Sequence, residues 1–200
     1  MSRLRAKLLS AIFLAIFFPS TQILAQDEQQ SNPLAIHMNQ WLVGSREWTT
    51  PNPDHNPEDE NSFAEFRVYW DWGPFNEQLL GKLFGVTDDG RTALFWNMYT
   101  TFNPATRTVI FQQVGWGGAY IQGEHPVREE PLAFGEVERL DTGMYAPDGT
   151  SKQTRHENVF YDDGSHQANV FEQDENGDWK QTNTWTWKLV SEEQVLGTSI

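Results

Sequence analysis

Turn-forming sequences recur along this chain every 8–15 residues or so, and this spacing constrains the fold more than any other feature. Asp88-Asp89-Gly90, Pro147-Asp148-Gly149, Asp162-Asp163-Gly164 and Glu175-Asn176-Gly177-Asp178 each contain a pair typical of tight hairpins, and Asn103-Pro104 adds another turn. The intervals are too short for strand–helix–strand units. The pattern therefore predicts an all-β domain of antiparallel strands.

The segments between the turns alternate apolar and polar residues, as half-buried strands do. In the clearest one, Ala64, Phe66, Val68, Trp70 and Trp72 share a face opposite Glu65, Arg67, Tyr69 and Asp71. We predict further strands at 76–87, 92–102, 107–114, around 132–140, 153–161, 166–172 and 179–190, and loops at 49–61 and 125–131. A sandwich or a barrel fits this order, and we predict an antiparallel up-and-down β-barrel of about 8–10 strands.

The two ends of the chain differ from this β pattern. Residues 1–25 combine three basic residues, a short apolar run and a small residue at Ala25, which predicts a secretory signal peptide. The apolar run is shorter than the roughly 20 residues that a membrane span needs. We predict a flexible lead-in at 26–32, a barrel domain at 33–190 that opens with a short helix over 33–42 capped by Asn32, and a C-terminal tail at 191–200.

The charge of the chain disfavours two classes of partner. Removal of residues 1–25 leaves 11 basic and 28 acidic residues, a formal charge of −17. A nucleic-acid binder neutralises phosphates with Lys and Arg, and an anionic membrane repels an acidic surface, so neither partner is expected.

The chain contains no cysteine, so its stability rests on its core and not on disulfides. Together with the predicted signal peptide, the absence of cysteine favours a periplasmic or secreted bacterial protein.

A wider resemblance follows from the order of these features. A short helix runs into Leu42-Val43-Gly44-Ser45-Arg46-Glu47-Trp48, the middle contains Trp96-Asn97-Met98-Tyr99-Thr100-Thr101-Phe102, and the end contains Trp185-Thr186-Trp187-Lys188. Over roughly 33–190 the chain resembles calycin or lipocalin-like barrels, especially exported bacterial lipocalin-like domains of unknown function. The resemblance implies a barrel with a ligand cavity, and it implies no catalytic chemistry.

Nine tryptophans make aromatic side chains the main candidates for ligand contact. A barrel of this size has a lumen that holds side chains or one small ligand, and aromatic rings can stack on a flat molecule. The alternative is that these rings only fill the core. We predict that the ligand-binding residues are Trp70, Trp72, Trp96, Tyr99, Trp185 and Trp187.

Arg155, His156 and Glu157 are the most polar group inside a predicted strand. Alternation places Arg155 and Glu157 on one face and His156 on the other, so only one of these faces can meet the lumen. They are weak candidates for a catalytic role, because proton transfer would need His156 beside a carboxylate in a dry cavity. The alternative for the two charged residues is a solvated ion pair, as for Glu65 and Arg67.

No motif in the sequence indicates a metal or a cofactor. The five histidines are widely separated, and neither a zinc signature, a calcium loop nor a phosphate-binding loop is present. We therefore expect no metal and no cofactor. The leading hypothesis is a binding protein for a small apolar or aromatic molecule. The alternatives are a cofactor-free isomerase, cyclase or hydrolase that uses the same cavity, and an interaction module without a ligand.

Overall fold

The structure, a computed structural model, describes residues 32–191. The predicted signal peptide lies outside the described residues, as do the lead-in and the C-terminal tail apart from Asn32 and Ser191. Within 32–191 no helix has the length and apolar character needed to cross a membrane.

Ten antiparallel strands follow a short helical segment. The helix α1 covers Pro33–His37, and a 3-10 turn at Asn39–Leu42 continues it. The strands are β1 (Glu47–Pro51), β2 (Phe63–Trp72), β3 (Gln78–Thr87), β4 (Thr92–Asn103), β5 (Thr108–Gly115), β6 (Tyr120–Pro126), β7 (Val137–Tyr145), β8 (Ser151–Phe160), β9 (Ser165–Gln173) and β10 (Trp179–Leu189). Two more 3-10 turns lie at Pro74–Asn76 and Trp116–Gly118.

Each strand pairs with its neighbours in sequence, and β1 also pairs with β10. The sheet is thus a closed up-and-down barrel, as the sequence predicts. Closure leaves no unpaired sheet edge. Glycines serve the tight turns between strands, where Gly90 and Gly177 have φ of 82° and 87° that other residues rarely adopt.

The predicted N-terminal helix forms, with Asn32 as its N-cap. The Asn32 side chain accepts a hydrogen bond from the Leu34 amide at 2.9 Å, and Pro33 occupies the first helical position. The α-helix ends at His37, earlier than predicted, and the last turn of the segment is 3-10.

Three strand assignments from sequence are wrong. The predicted loop at 49–61 begins in β1, where β-branched Thr49 and Thr50 pair with Arg67 and Phe66. The predicted strand around 132–140 begins only at Val137 and continues to Tyr145. Strand β6 was not predicted, because its central glycine and terminal proline obscure the alternation.

Candidate functional site

The inward face of the barrel encloses a cavity of about 470 Å³. This volume lies within the range of small-molecule sites in proteins. Because alternate residues of each strand point inward, every strand except the short β1 contributes at least one side chain to the lining. The interior is therefore a lined lumen with space left between the side chains.

The helical segment closes one end of this lumen. His37, Met38 and Trp41 line the cavity from that end. Asn39 and Gln40 hold the segment against the connection between β6 and β7, since their side-chain amides donate to the Leu132 carbonyl at 3.1 and 2.7 Å. The Leu132 amide in turn donates a hydrogen bond to Asn39 Oδ1 at 2.9 Å. The cavity floor is thus fixed by hydrogen bonds as well as by packing.

Below the cavity, aromatic rings pack into a solid base around Trp41. The Trp41 ring lies 5.1 Å from Phe160, 5.9 Å from Trp70 and 6.4 Å from Trp48, measured between ring centroids. These edge-on and tilted arrangements are the ones that aromatic pairs favour. Burial of such large apolar rings stabilises this end of the barrel.

The opposite end of the lumen is more open. Lining residues near the base, such as Val68, Met98 and Val109, are buried, whereas Met144, Glu172 and Trp185 are partly exposed. The last three residues lie toward the end at which β1–β2, β3–β4, β5–β6, β7–β8 and β9–β10 are connected. A ligand would therefore pass through this end, which we call the mouth.

A carboxylate at the floor of the cavity is fully engaged. Glu138 accepts from Arg128 Nη2 at 2.5 Å, from Trp41 Nε1 at 3.0 Å and from Asn158 Nδ2 at 3.2 Å. A buried charge needs such partners, because burial without them is costly. Glu138 therefore joins the floor to the wall, and its oxygens are occupied before any ligand arrives.

The imidazole of His156 lines the wall without a partner. It makes no hydrogen bond or ion pair within residues 32–191, and its strand neighbours are Leu140 on β7 and Val170 on β9. Burial lowers the pKa of His156 below its usual 6.5. The ring is consequently neutral near pH 7 and offers one N–H donor and one nitrogen acceptor to a ligand.

A second polar group of the wall also lacks a partner. Thr100 is 1% exposed, and its hydroxyl has no hydrogen bond within the described part of the chain. Gln113 lines the same cavity on the neighbouring strand β5, and its amide likewise makes no hydrogen bond among residues 32–191. Buried polar groups in folded proteins nearly always have partners, which for these two groups a water or a bound molecule in the cavity would supply.

Four of the six predicted ligand-binding residues line the cavity: Trp70, Trp96, Trp185 and Trp187. Trp72 packs against the core but is not among the lining residues. Tyr99 is 39% exposed and lies on the outer face, because its neighbours Met98 and Thr100 point inward. The structure therefore brings four of the predicted rings together and leaves two outside the cavity.

The three polar candidates on β8 separate as strand alternation requires. His156 faces the lumen, whereas Arg155 pairs with Asp141 at 2.6 Å and Glu157 pairs with Arg139 at 2.8 Å on the outer face. Arg155 also lies over the ring of Trp179, 4.2 Å from its centroid. Arg155 and Glu157 are therefore surface ion-pair residues, and His156 has no carboxylate within hydrogen-bond distance in the described residues.

The buried histidines His37 and His166 lie at the closed end of the barrel. Burial, assisted by nearby Arg128, lowers the pKa of His37 from 6.5 to about 3. The Arg128 amide donates to His37 Nδ1 at 3.3 Å, which places the proton of the neutral ring on Nε2. Within residues 32–191 no group of three or more His, Cys, Asp or Glu side chains is arranged to hold a metal ion.

The cavity also has lining residues that the sequence analysis does not predict. Phe95 and Trp96 both line the cavity although they are adjacent, because a bulge at Phe95 shifts the register of β4 against β3. Phe66 and Val68 could have been predicted from the sequence, since they share the alternating apolar face with Trp70. His37 and Glu138 have no local sequence signal that predicts a lining position, because only the three-dimensional packing of the helical segment brings them to the lumen.

Comparison of the chain with models of known protein families finds no match. No curated protein matches the chain either. The closed ten-stranded antiparallel barrel is compatible with a calycin-like fold. Its function must therefore be argued from the cavity itself.

Proposed function

We propose that this protein is an exported binding protein that holds one small, largely apolar or aromatic molecule in the barrel lumen. The observation that carries the proposal is a cavity of about 470 Å³ lined by aromatic and aliphatic side chains together with unpartnered polar groups. A lumen of this size that served only as a core would be filled by side chains. The sequence of residues 1–25 supports the export part of the proposal.

The lining supports a ligand that is apolar over most of its surface. Trp70, Trp96, Trp185 and Trp187 supply flat rings, and Met98 and Met144 supply side chains that adapt their shape. His156, Thr100 and Gln113 would then orient one polar atom of the ligand. This combination of many apolar contacts and few polar contacts is typical of small-molecule sites.

Native mass spectrometry of residues 26–200, purified from the exported fraction of the host, tests this proposal. The expected result is an added mass that disappears on denaturation. The apo protein should also bind 2-(1-naphthyl)ethanol, detected by a change in tryptophan fluorescence. A clean apo mass together with no response to naphthyl probes would contradict the proposal.

A pair of variants locates the site. Val170→Trp places a large ring in the lumen and should weaken naphthyl binding at least about tenfold. Val114→Trp makes the same substitution on the exposed outer face of β5 and should bind as the parent does. A folded Val170→Trp variant, verified by circular dichroism, that binds normally would place the ligand elsewhere.

A cofactor-free enzyme is the second candidate function, and the neutral, unpartnered His156 favours it. Such an imidazole could accept a proton from a bound molecule. The arrangement favours binding over chemistry, because Glu138 is already held by three donors and His156 has no carboxylate beside it among the described residues. Recovery of the captured molecule chemically unchanged after incubation supports binding, whereas a His156-dependent product supports catalysis.

A further inference from the structure

No permanently cationic side chain lines the lumen within residues 32–191. Among the described residues that line it, the charged ones are Glu138 and Glu172, and neither Lys nor Arg is present. The two lining histidines, His37 and His156, have lowered pKa values because of burial. An anionic group inside the lumen would therefore lose its hydration without gaining a positive partner, which is costly in an apolar cavity.

The mouth of the barrel is strongly acidic. Its five connections carry ten carboxylates, four in 52–62, two in 88–91, one in 146–150 and three in 174–178, against one basic residue, Arg91. The four strand connections at the closed end carry six carboxylates and two arginines. This excess of negative charge attracts cationic ligands to the mouth and repels anionic ones.

One carboxylate connects the mouth to the lumen. Glu172 lines the cavity near its open end, and its side chain is 39% exposed. It forms an ion pair with Lys152, which is also partly exposed. A surface pair of this kind contributes little stability, so a cationic ligand can compete with Lys152 for the carboxylate.

Aromatic rings extend from the lumen to the rim beside this acidic mouth. Trp185 contacts Phe66 at 5.7 Å, Phe66 contacts Phe95 at 5.7 Å, and Phe95 contacts Trp116 at 6.5 Å, measured between ring centroids. Trp116 is 83% exposed on the connection between β5 and β6. Indole faces attract organic cations, so this path suits a molecule that is both aromatic or apolar and positively charged.

We propose that the ligand is a lipophilic organic cation, an aromatic or alkyl amine whose hydrocarbon body fills the lumen and whose ammonium lies at the mouth near Glu172. The inference rests on the proposed binding function and adds the charge of the ligand. Carboxylate-bearing ligands such as fatty acids are the class that this lumen discriminates against.

Three probes of matched shape and different charge test the inference at pH 7.5: 2-(1-naphthyl)ethylammonium, 2-(1-naphthyl)ethanol and 1-naphthylacetate. In low salt the cation should bind at least about tenfold more tightly than the anion, with the alcohol between them. Raising the salt from 0.01 to 0.5 M should reduce that ratio severalfold, because it screens the exposed charges.

Two variants separate the role of Glu172 from the general charge of the protein. Glu172→Gln should weaken binding of the cation about three- to tenfold and leave the alcohol unchanged. Glu129→Gln removes one charge from an exposed ion pair with Arg107 at the closed end and should change neither affinity by more than about twofold.

The outcomes distinguish the two proposals. If the alcohol binds and the anion binds as tightly as the cation, the charge inference is wrong and the binding function stands. A preference for the cation that neither salt nor Glu172→Gln alters also overturns it. If none of the three probes binds, the binding function fails, and the inference fails with it.

Discussion

His166 provides the sharpest test of how this barrel is stabilised. Its side chain is completely buried, and neither ring nitrogen has a hydrogen-bond partner in the described part of the chain. Trp41 and Trp48 meet the ring edge-on at 4.9 Å each, Phe160 lies at 4.7 Å, and Trp187 stacks at 6.0 Å. Burial in this aromatic cluster lowers the pKa of His166 from 6.5 to about 3.

This pKa shift makes stability depend on pH in a definite direction. Between pH 6.5 and about 3 the unfolded chain binds a proton at residue 166 and the folded chain does not. The free energy of unfolding therefore decreases by about 1.4 kcal/mol for each pH unit below 6.5. The stabilisation is fully present above pH 6.5, and about 2 kcal/mol of it is lost at pH 5.

Replacing His166 with Phe removes the titrating ring and keeps an aromatic group in the cluster. We expect the loss of unfolding free energy between pH 7.5 and pH 5 to be about 2 kcal/mol smaller in His166→Phe than in the parent. Urea unfolding followed by tryptophan fluorescence measures both values. Since His37 keeps its own lowered pKa, part of the acid sensitivity remains in the variant.

A packing control accompanies this variant. Phe160→Leu disturbs the same cluster without removing a titrating group, so it should lower stability equally at both pH values. An acid loss in His166→Phe as large as that of the parent would refute the assignment of the acid sensitivity to this ring.

Three further substitutions test the floor, the outer surface and the wall. Arg128→Ala leaves the Glu138 carboxylate buried without its cation and should destabilise the protein by about 3 kcal/mol in urea unfolding. Arg155→Ala breaks a pair on the outer face, so it should cost less than about 1 kcal/mol and leave naphthyl affinity unchanged. Gly81→Ala would bring its Cβ to 2.8 Å from the Trp70 ring, and we expect a destabilisation of about 1–3 kcal/mol, measured in the same way.

The fold was predictable because its signals are local. Turn sequences and alternating residues identified most strands, and Asn32 with Pro33 identified the start of the helix. Strand β6 was missed because Gly123 interrupts its alternation. An added Cβ at Gly123 would lie 2.7 Å from the Asp141 carbonyl of the adjacent strand, so tertiary packing explains the glycine that local propensity disfavours.

The site was only partly predictable. The sequence predicts both Trp96 and Tyr99 as ligand contacts, yet three positions separate them on one strand, so regular alternation places them on opposite faces. The structure resolves this conflict by placing Met98 and Thr100 inside and Tyr99 outside. The inward position of Phe95 depends on a bulge, and the engagement of Glu138 depends on contacts between distant segments, so neither has a local sequence signal.

The inward face of the barrel divides along its axis into a tightly packed base and a more open lumen. At the closed end, Trp41 and His166 belong to a tightly packed aromatic cluster, where substitutions should change stability first. Near the mouth, Met144 and Glu172 are partly exposed, so substitutions there should change the affinity for naphthyl probes before they change stability. A mouth-side substitution that changes probe affinity should therefore leave the urea-unfolding free energy nearly unchanged, because the base that keeps the barrel folded stays intact.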